Sequence, residues 1–160
     1  CHGSAWGVSL CAIAVNATLY ASHEIWGHFI LDIFYAWCCF YGWQSWRVRV
    51  APRSLSFKSR LLSLVIVGLC SFIAYHLLTF IQGRVVLIDA LGTSCALMAQ
   101  LLTTMAYVES WPLWFVHDLM NLIIDIDRAW PYHALKDALY LLIAIRGWRI
   151  WRQRETAKKA

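Results

Sequence analysis

The sequence predicts an all-α polytopic membrane protein. The expected architecture is a 3+1+3 helix bundle with a parallel internal repeat, its first helix lying outside this chain. Three observations carry that expectation. The 160 residues are 61% hydrophobic and only 14% charged, whereas soluble domains run at about 45–50% apolar and about 25% charged. The apolar residues fill nearly the whole chain in segments of about 20, the length of helix that crosses a bilayer core. The chain also repeats itself after 105 residues. A water-soluble enzyme is excluded on composition. Nucleic-acid binding is excluded because the net charge of +5 sits in one connector and one tail, where membrane topology accounts for it.

Six segments follow from the hydrophobic pattern: Gly3–Tyr20, Gly27–Trp46, Leu61–Phe80, Val85–Ala106, Ser110–Ile126 and Pro131–Trp151. Every connector except Arg47–Arg60 is short, so consecutive helices should pack as neighbours. None of the segments alternates with period two as a barrel strand would. Lys and Arg set the orientation. The connector after the second segment holds Arg47, Arg49, Arg53, Lys58 and Arg60, and the last helix end and tail hold Arg146, Arg149, Arg152, Arg154, Lys158 and Lys159. Only Arg84, Arg128 and Lys136 fall on the other side. The connector and the C-terminus are therefore expected in the cytoplasm.

The repeat places Trp6 on Trp111, Asn16 on Asn121, His28 on His133, Asp32 on Asp137 and Tyr35 on Tyr140. It also places Gly42, Trp43, Trp46 and Arg47 on Gly147, Trp148, Trp151 and Arg152. Both copies cross in the same direction, which is a parallel repeat about an axis along the membrane normal. Shifted back by 105, Ala106 falls on Cys1, so a further N-terminal helix is expected before this chain. Residues 1–47 then form the last two helices of repeat 1. Residues 48–84 form the cytoplasmic connector and linker helix, 85–152 form repeat 2, and 153–160 form a cytoplasmic tail.

Polar residues inside the helices mark the candidate site, because an isolated carboxylate in lipid costs several kcal/mol and turns inward. Trp111, Trp114, Asp118, Asn121 and Asp125 follow one another at steps of 3, 4, 3 and 4, one face of a helix. Asp137, Tyr140, Ala144, Gly147 and Trp151 do the same, as do Asp32, Tyr35, Cys39, Gly42 and Trp46. Asp89, Thr93, Ala96, Gln100 and Thr103 line a face of the fourth segment. Asp118 and Gln100 lie deepest. The blander readings are an aromatic belt for Trp43, Trp46, Trp148 and Trp151, close packing at Gly42 and Gly147, and end-anchoring for Asp32 and Asp137. The six Cys include no CxxC and read as buried thiols, and no His has a second His at i+3 or i+4. No metal and no cofactor are expected.

The stretch Asp89 to Trp151 resembles the second half of the PnuC vitamin-transporter family. The resemblance rests on Asp89-Ala90, Gln100, Glu109-Ser110-Trp111-Pro112-Leu113-Trp114, Asp118, Leu139-Tyr140 and Gly147-Trp148-Arg149-Ile150-Trp151-Arg152. The first half matches more loosely, through Asn16, Leu19-Tyr20, Tyr35 and Gly42-Trp43-Gln44-Ser45-Trp46. The resemblance implies a bundle similar to the SWEET sugar transporters, and facilitated transport with an intracellular kinase trapping the substrate. It implies nicotinamide riboside as the commonest cargo, with thiamine, riboflavin and deoxynucleosides carried by relatives. It also implies homotrimers in the inner membrane. The substrate site is expected at Gln100, Trp114, Asp118, Asn121, Tyr140, Trp111, Tyr35 and Asn16. A sugar facilitator, a membrane redox enzyme and a scaffold subunit are the competing classes.

Overall fold

The structure, a computed structural model, describes Cys11, Ile13, Ala14 and residues 26–46, 51–81 and 86–159. The described residues contain five long helices and no strand. They divide into two units, residues 1–50 and 51–160. In the first unit, α1 spans Trp26–Trp46. At about 1.5 Å per residue its 21 residues reach about 31 Å, the thickness of a bilayer core. Its Trp37 and Tyr41 rings stack at 5.9 Å. The first predicted segment, Gly3–Tyr20, lies outside the described residues except at Cys11, Ile13 and Ala14, which are helical.

In the second unit, α2 (Phe57–Ile81), α3 (Val86–Thr104), α4 (Ser110–Asp127) and α5 (Pro131–Lys159) pack in chain order, each against the next. Two of them contain stretches long and apolar enough to cross a membrane, Phe57–Leu77 and Leu87–Thr104. Helix α2 starts four residues before the expected Leu61. The reason is Ser56, whose Oγ accepts the backbone N–H of Ser59 at 3.2 Å and so caps the first turn. Helix α5 runs eight residues beyond Trp151, because Arg152–Lys159 contains neither Gly nor Pro to stop it.

Helix α3 buries small residues, Ala90, Ser94, Cys95, Ala96 and Ala99, which let neighbouring backbones come close. Its hydroxyls are satisfied locally: Ser94, Thr103 and Thr104 each donate to the carbonyl four residues back at 2.8 Å. The apolar core gathers Val67 of α2 with Cys95, Met98 and Leu102 of α3. Two tight turns join the later helices. In each, an Ala takes the left-handed conformation (Ala106, φ 59°; Ala129, φ 55°). In each, an N–H also reaches back five residues, from Tyr107 to Leu102 and from Trp130 to Asp125. This is the helix-ending motif usually built on Gly. Pro131 then opens α5, where its missing N–H leaves nothing unsatisfied.

One end of the unit is clasped. Arg53 N–H donates to Ala106 O and Val108 N–H donates to Arg53 O, both at 3.0 Å. The Arg53 guanidinium lies over the Tyr107 ring at 4.5 Å. Glu109 accepts the Leu55 N–H at 3.1 Å and pairs with Arg60 at 2.8 Å. The basic connector and the α3–α4 turn therefore lie at the same end, as alternate crossing requires.

The predicted inventory of thiols needs a correction. Cys38, Cys39 and Cys95 are buried, but Cys11 and Cys70 are exposed on their helices. Trp151 is also corrected: it is buried against Trp111 with ring centroids 5.3 Å apart, while Trp148 is exposed as a belt residue would be.

Candidate functional site

Helices α4 and α5 are antiparallel neighbours, and the register between them follows from one close approach. The Trp111 ring sits against Gly147. Going along α4 from Trp111 through Trp114 and Asp118 to Asn121 therefore runs back along α5 from Gly147 through Ala144 and Tyr140 toward Asp137. A cavity of about 270 Å³ opens along this seam. It is lined by Trp111, Trp114, His117, Asp118 and Asn121 from α4, and by Lys136, Asp137, Tyr140, Ile143 and Ala144 from α5. From Trp111 to Asn121 the helix rises about 15 Å.

The wall facing α3 is fixed by hydrogen bonds. The Trp114 Nε1–H donates to Thr103 Oγ1 at 3.0 Å, so its indole plane is held while its ring remains on the cavity. His117 Nδ1 bonds the Gly92 carbonyl at 3.0 Å, and His117 Nε2 bonds Asn121 Nδ2 at 3.1 Å. The Trp114 and His117 rings meet edge to face at 5.7 Å. Asp118 is 5% exposed and takes part in none of the ion pairs of the described residues.

The α5 wall carries charge. Asp137 is 1% exposed. Lys136 Nζ pairs with its Oδ1 at 3.0 Å, and neither carboxylate oxygen has a well-formed hydrogen bond among the described residues. The Lys136 ammonium also stands 6.0 Å from the Tyr140 ring centre. Trp111 Nε1 is likewise buried without an acceptor among the described residues. Buried polar atoms left this way are costly and rare. Here they belong to residues that line the same cavity, so a polar ligand could satisfy them.

Five of the expected site residues come together here: Trp111, Trp114, Asp118, Asn121 and Tyr140. Gln100 is buried on α3 and is not part of the lining. Tyr35 lies on α1 in the other unit, its ring beside that of Phe34. Asn16 lies outside the described residues. The residues that sequence reasoning left out of the site are His117, Lys136, Asp137 and the apolar pair Ile143 and Ala144. Asp137 and Ala144 were already on the predicted face of the sixth segment. His117 could have been found too, since it stands three residues after Trp114 and four before Asn121.

A helical bundle that includes helices apolar enough to span a membrane and holds a cavity of aromatic and polar groups has the features of a multi-pass membrane transporter for small solutes. The chain belongs to the nicotinamide mononucleotide transporter family, whose model matches residues 2–153. The nicotinamide riboside transporter PnuC of Escherichia coli (strain K12) is 22% identical to it over 173 residues, covering 86% of this chain and 72% of the relative. PnuC of Shigella flexneri matches to the same extent. A crystal structure of the vitamin B3 transporter PnuC shares the fold, with a TM-score of 0.73 over 97% of this chain and 74% of that one, at 17% identity.

Proposed function

We propose that this protein is a facilitator that imports nicotinamide riboside across the inner membrane, binding it in the α4–α5 cavity. The observation that carries this reading is the meeting of Trp114 and Tyr140 rings with the Asp118 carboxylate and the Asn121 amide in one cavity. Nicotinamide riboside has a flat cationic ring, a carboxamide and ribose hydroxyls. An aromatic face offers stacking and a cation–π attraction, and a carboxylate adds charge complementarity. Asn121 can donate and accept, Trp111 Nε1 is a donor without an acceptor among the described residues, and the Asp137 carboxylate adds acceptors. At about 270 Å³ the cavity is just below the usual range of ligand pockets (about 300–1,000 Å³), in keeping with a small cargo. The names of the relatives point to the same cargo.

In this reading Gln100 of α3, Tyr35 and Asn16 also serve transport, within a 3+1+3 repeat. Support for the repeat comes from the sequence, where a shift of 105 lays Asp32, Tyr35, Gly42 and Trp46 on Asp137, Tyr140, Gly147 and Trp151. The two copies rock about the site to give alternating access. The C-terminus is cytoplasmic, a kinase there traps the cargo by phosphorylation, and the working assembly is a homotrimer. The test is uptake of labelled nicotinamide riboside into proteoliposomes. Saturable uptake is expected, with competition by unlabelled nicotinamide riboside and none by thiamine, riboflavin or glucose. Uptake driven only by one of those competitors' own gradients would reassign the cargo.

A further inference from the structure

The structure assigns His117 as a positioning residue that fixes which end of the Asn121 amide meets the cargo, making Asn121 an acceptor selective for a ligand hydrogen-bond donor. This rests on the α4–α5 cavity being the substrate site. The argument starts at Gly92. Its carbonyl can only accept, so the His117 Nδ1 that lies 3.0 Å away carries the proton. In the neutral ring Nε2 is then an acceptor, and its neighbour at 3.1 Å must donate. Asn121 therefore turns its NH2 group to His117, and Oδ1 is the end left for the cavity.

Two local features hold the relay in place. Gly92 brings the α3 backbone close: a side chain there would stand 3.3 Å from Met120 Cβ and 3.8 Å from His117 Nδ1. On the same helix stripe, Trp114 is anchored to Thr103 and meets the His117 ring edge to face. A carbonyl, a ring and an amide thus form a chain in which each member has one permitted orientation. The cargo has two kinds of donor that Oδ1 could take, the carboxamide N–H and a ribose hydroxyl. A ligand that offers only an acceptor at that point would face a lone pair with a lone pair.

The test is calorimetric binding to the purified full chain, with nicotinamide riboside, 3-acetylpyridine riboside and the 2′-deoxy and 3′-deoxy ribosides of nicotinamide as probes. The acetyl compound keeps the ring charge and the carbonyl and loses only the N–H donors. Wild type should bind one of the three analogues about tenfold more weakly than the parent. A penalty on the acetyl compound identifies the amide as the donor, and one on a deoxy compound identifies the sugar. In His117→Phe the amide is free to turn, and that penalty should shrink to below about threefold. In Asn121→Leu it should vanish through loss of parent affinity. Penalties unchanged in His117→Phe would overturn the relay. Should that variant not fold, an unchanged penalty in Asn121→Leu would overturn it instead. Equal binding of all four probes by wild type removes the relay and leaves the cargo assignment standing, whereas no binding of nicotinamide riboside at all removes both.

Discussion

Trp111 occupies the space that a side chain at Gly147 would need: a methyl group there would overlap three carbons of the indole ring. The same ring meets Trp151 edge to face, so α4 and α5 are locked together at the Trp111 end of the cavity. Gly147→Ala should push Trp111 off this seat and open the seam. Overpacking of this kind costs about 1–3 kcal/mol. A drop in the melting temperature of detergent-purified protein, together with weaker binding, is the expected outcome. An unchanged melting temperature would mean that the ring relocates freely and does not set the register.

Asp118 is buried, lines the cavity and belongs to none of the described ion pairs. Asp118→Asn keeps the shape and removes the charge. It should weaken a cationic cargo by about 1.5–3 kcal/mol, roughly ten- to a hundredfold, with little change in expression or melting temperature. Titration of both proteins checks this, and equal affinities would take Asp118 out of the binding site.

Asp137 makes the opposite prediction for stability. It is buried beside a second buried carboxyl, Asp125, with the half-exposed Lys136 ammonium 3.0 Å from Oδ1. Asp137→Asn should therefore raise the stability of the empty protein, by about 1–2 kcal/mol, while lowering affinity for the cargo. Thermal unfolding with and without ligand separates the two effects. A less stable variant would show that Asp137 serves the fold instead.

The sequence made the helices and one wall of the site legible. Period and length placed Ser110 and Pro131 at the helix starts the structure has, because a Pro at the first helical position and a polar residue beside an apolar run leave a local signature. The Asp118 and Tyr140 faces were readable from steps of three and four. Trp151 stood both on the Asp137 face and in the belt reading, since a Trp beside an Arg cluster fits an interface equally well, and the contact with Trp111 decides for the former. The His117 link was hidden because its partner is the Gly92 carbonyl, a backbone group 25 residues away that leaves no mark on side-chain pattern. Ser56 as a cap was hidden behind the apolar threshold that put the start at Leu61.

Glu109 ties the connector to the α3–α4 turn through Leu55 and Arg60. Removing it in Glu109→Ala leaves the Leu55 N–H without this acceptor and frees the connector next to Trp111. Arg60 is nearly half exposed, so the ion pair itself contributes little and the backbone bond more. A loss of about 1–2 kcal/mol is expected, with Arg60→Ala costing less. Melting temperatures of the two variants give the comparison, and a larger effect from Arg60→Ala would reverse the assignment.

The most direct test of the central claim is calorimetric titration of nicotinamide riboside into wild-type and Trp114→Ala protein, alongside thiamine, riboflavin and glucose. Trp114 supplies the fixed aromatic face of the cavity, so its removal should weaken a stacked ring by about 0.5–1.5 kcal/mol beyond the area lost. The account predicts saturable binding of nicotinamide riboside alone, clearly weakened in Trp114→Ala. Binding of nicotinamide riboside that is indifferent to Trp114, or binding of one of the other three in its place, would contradict it.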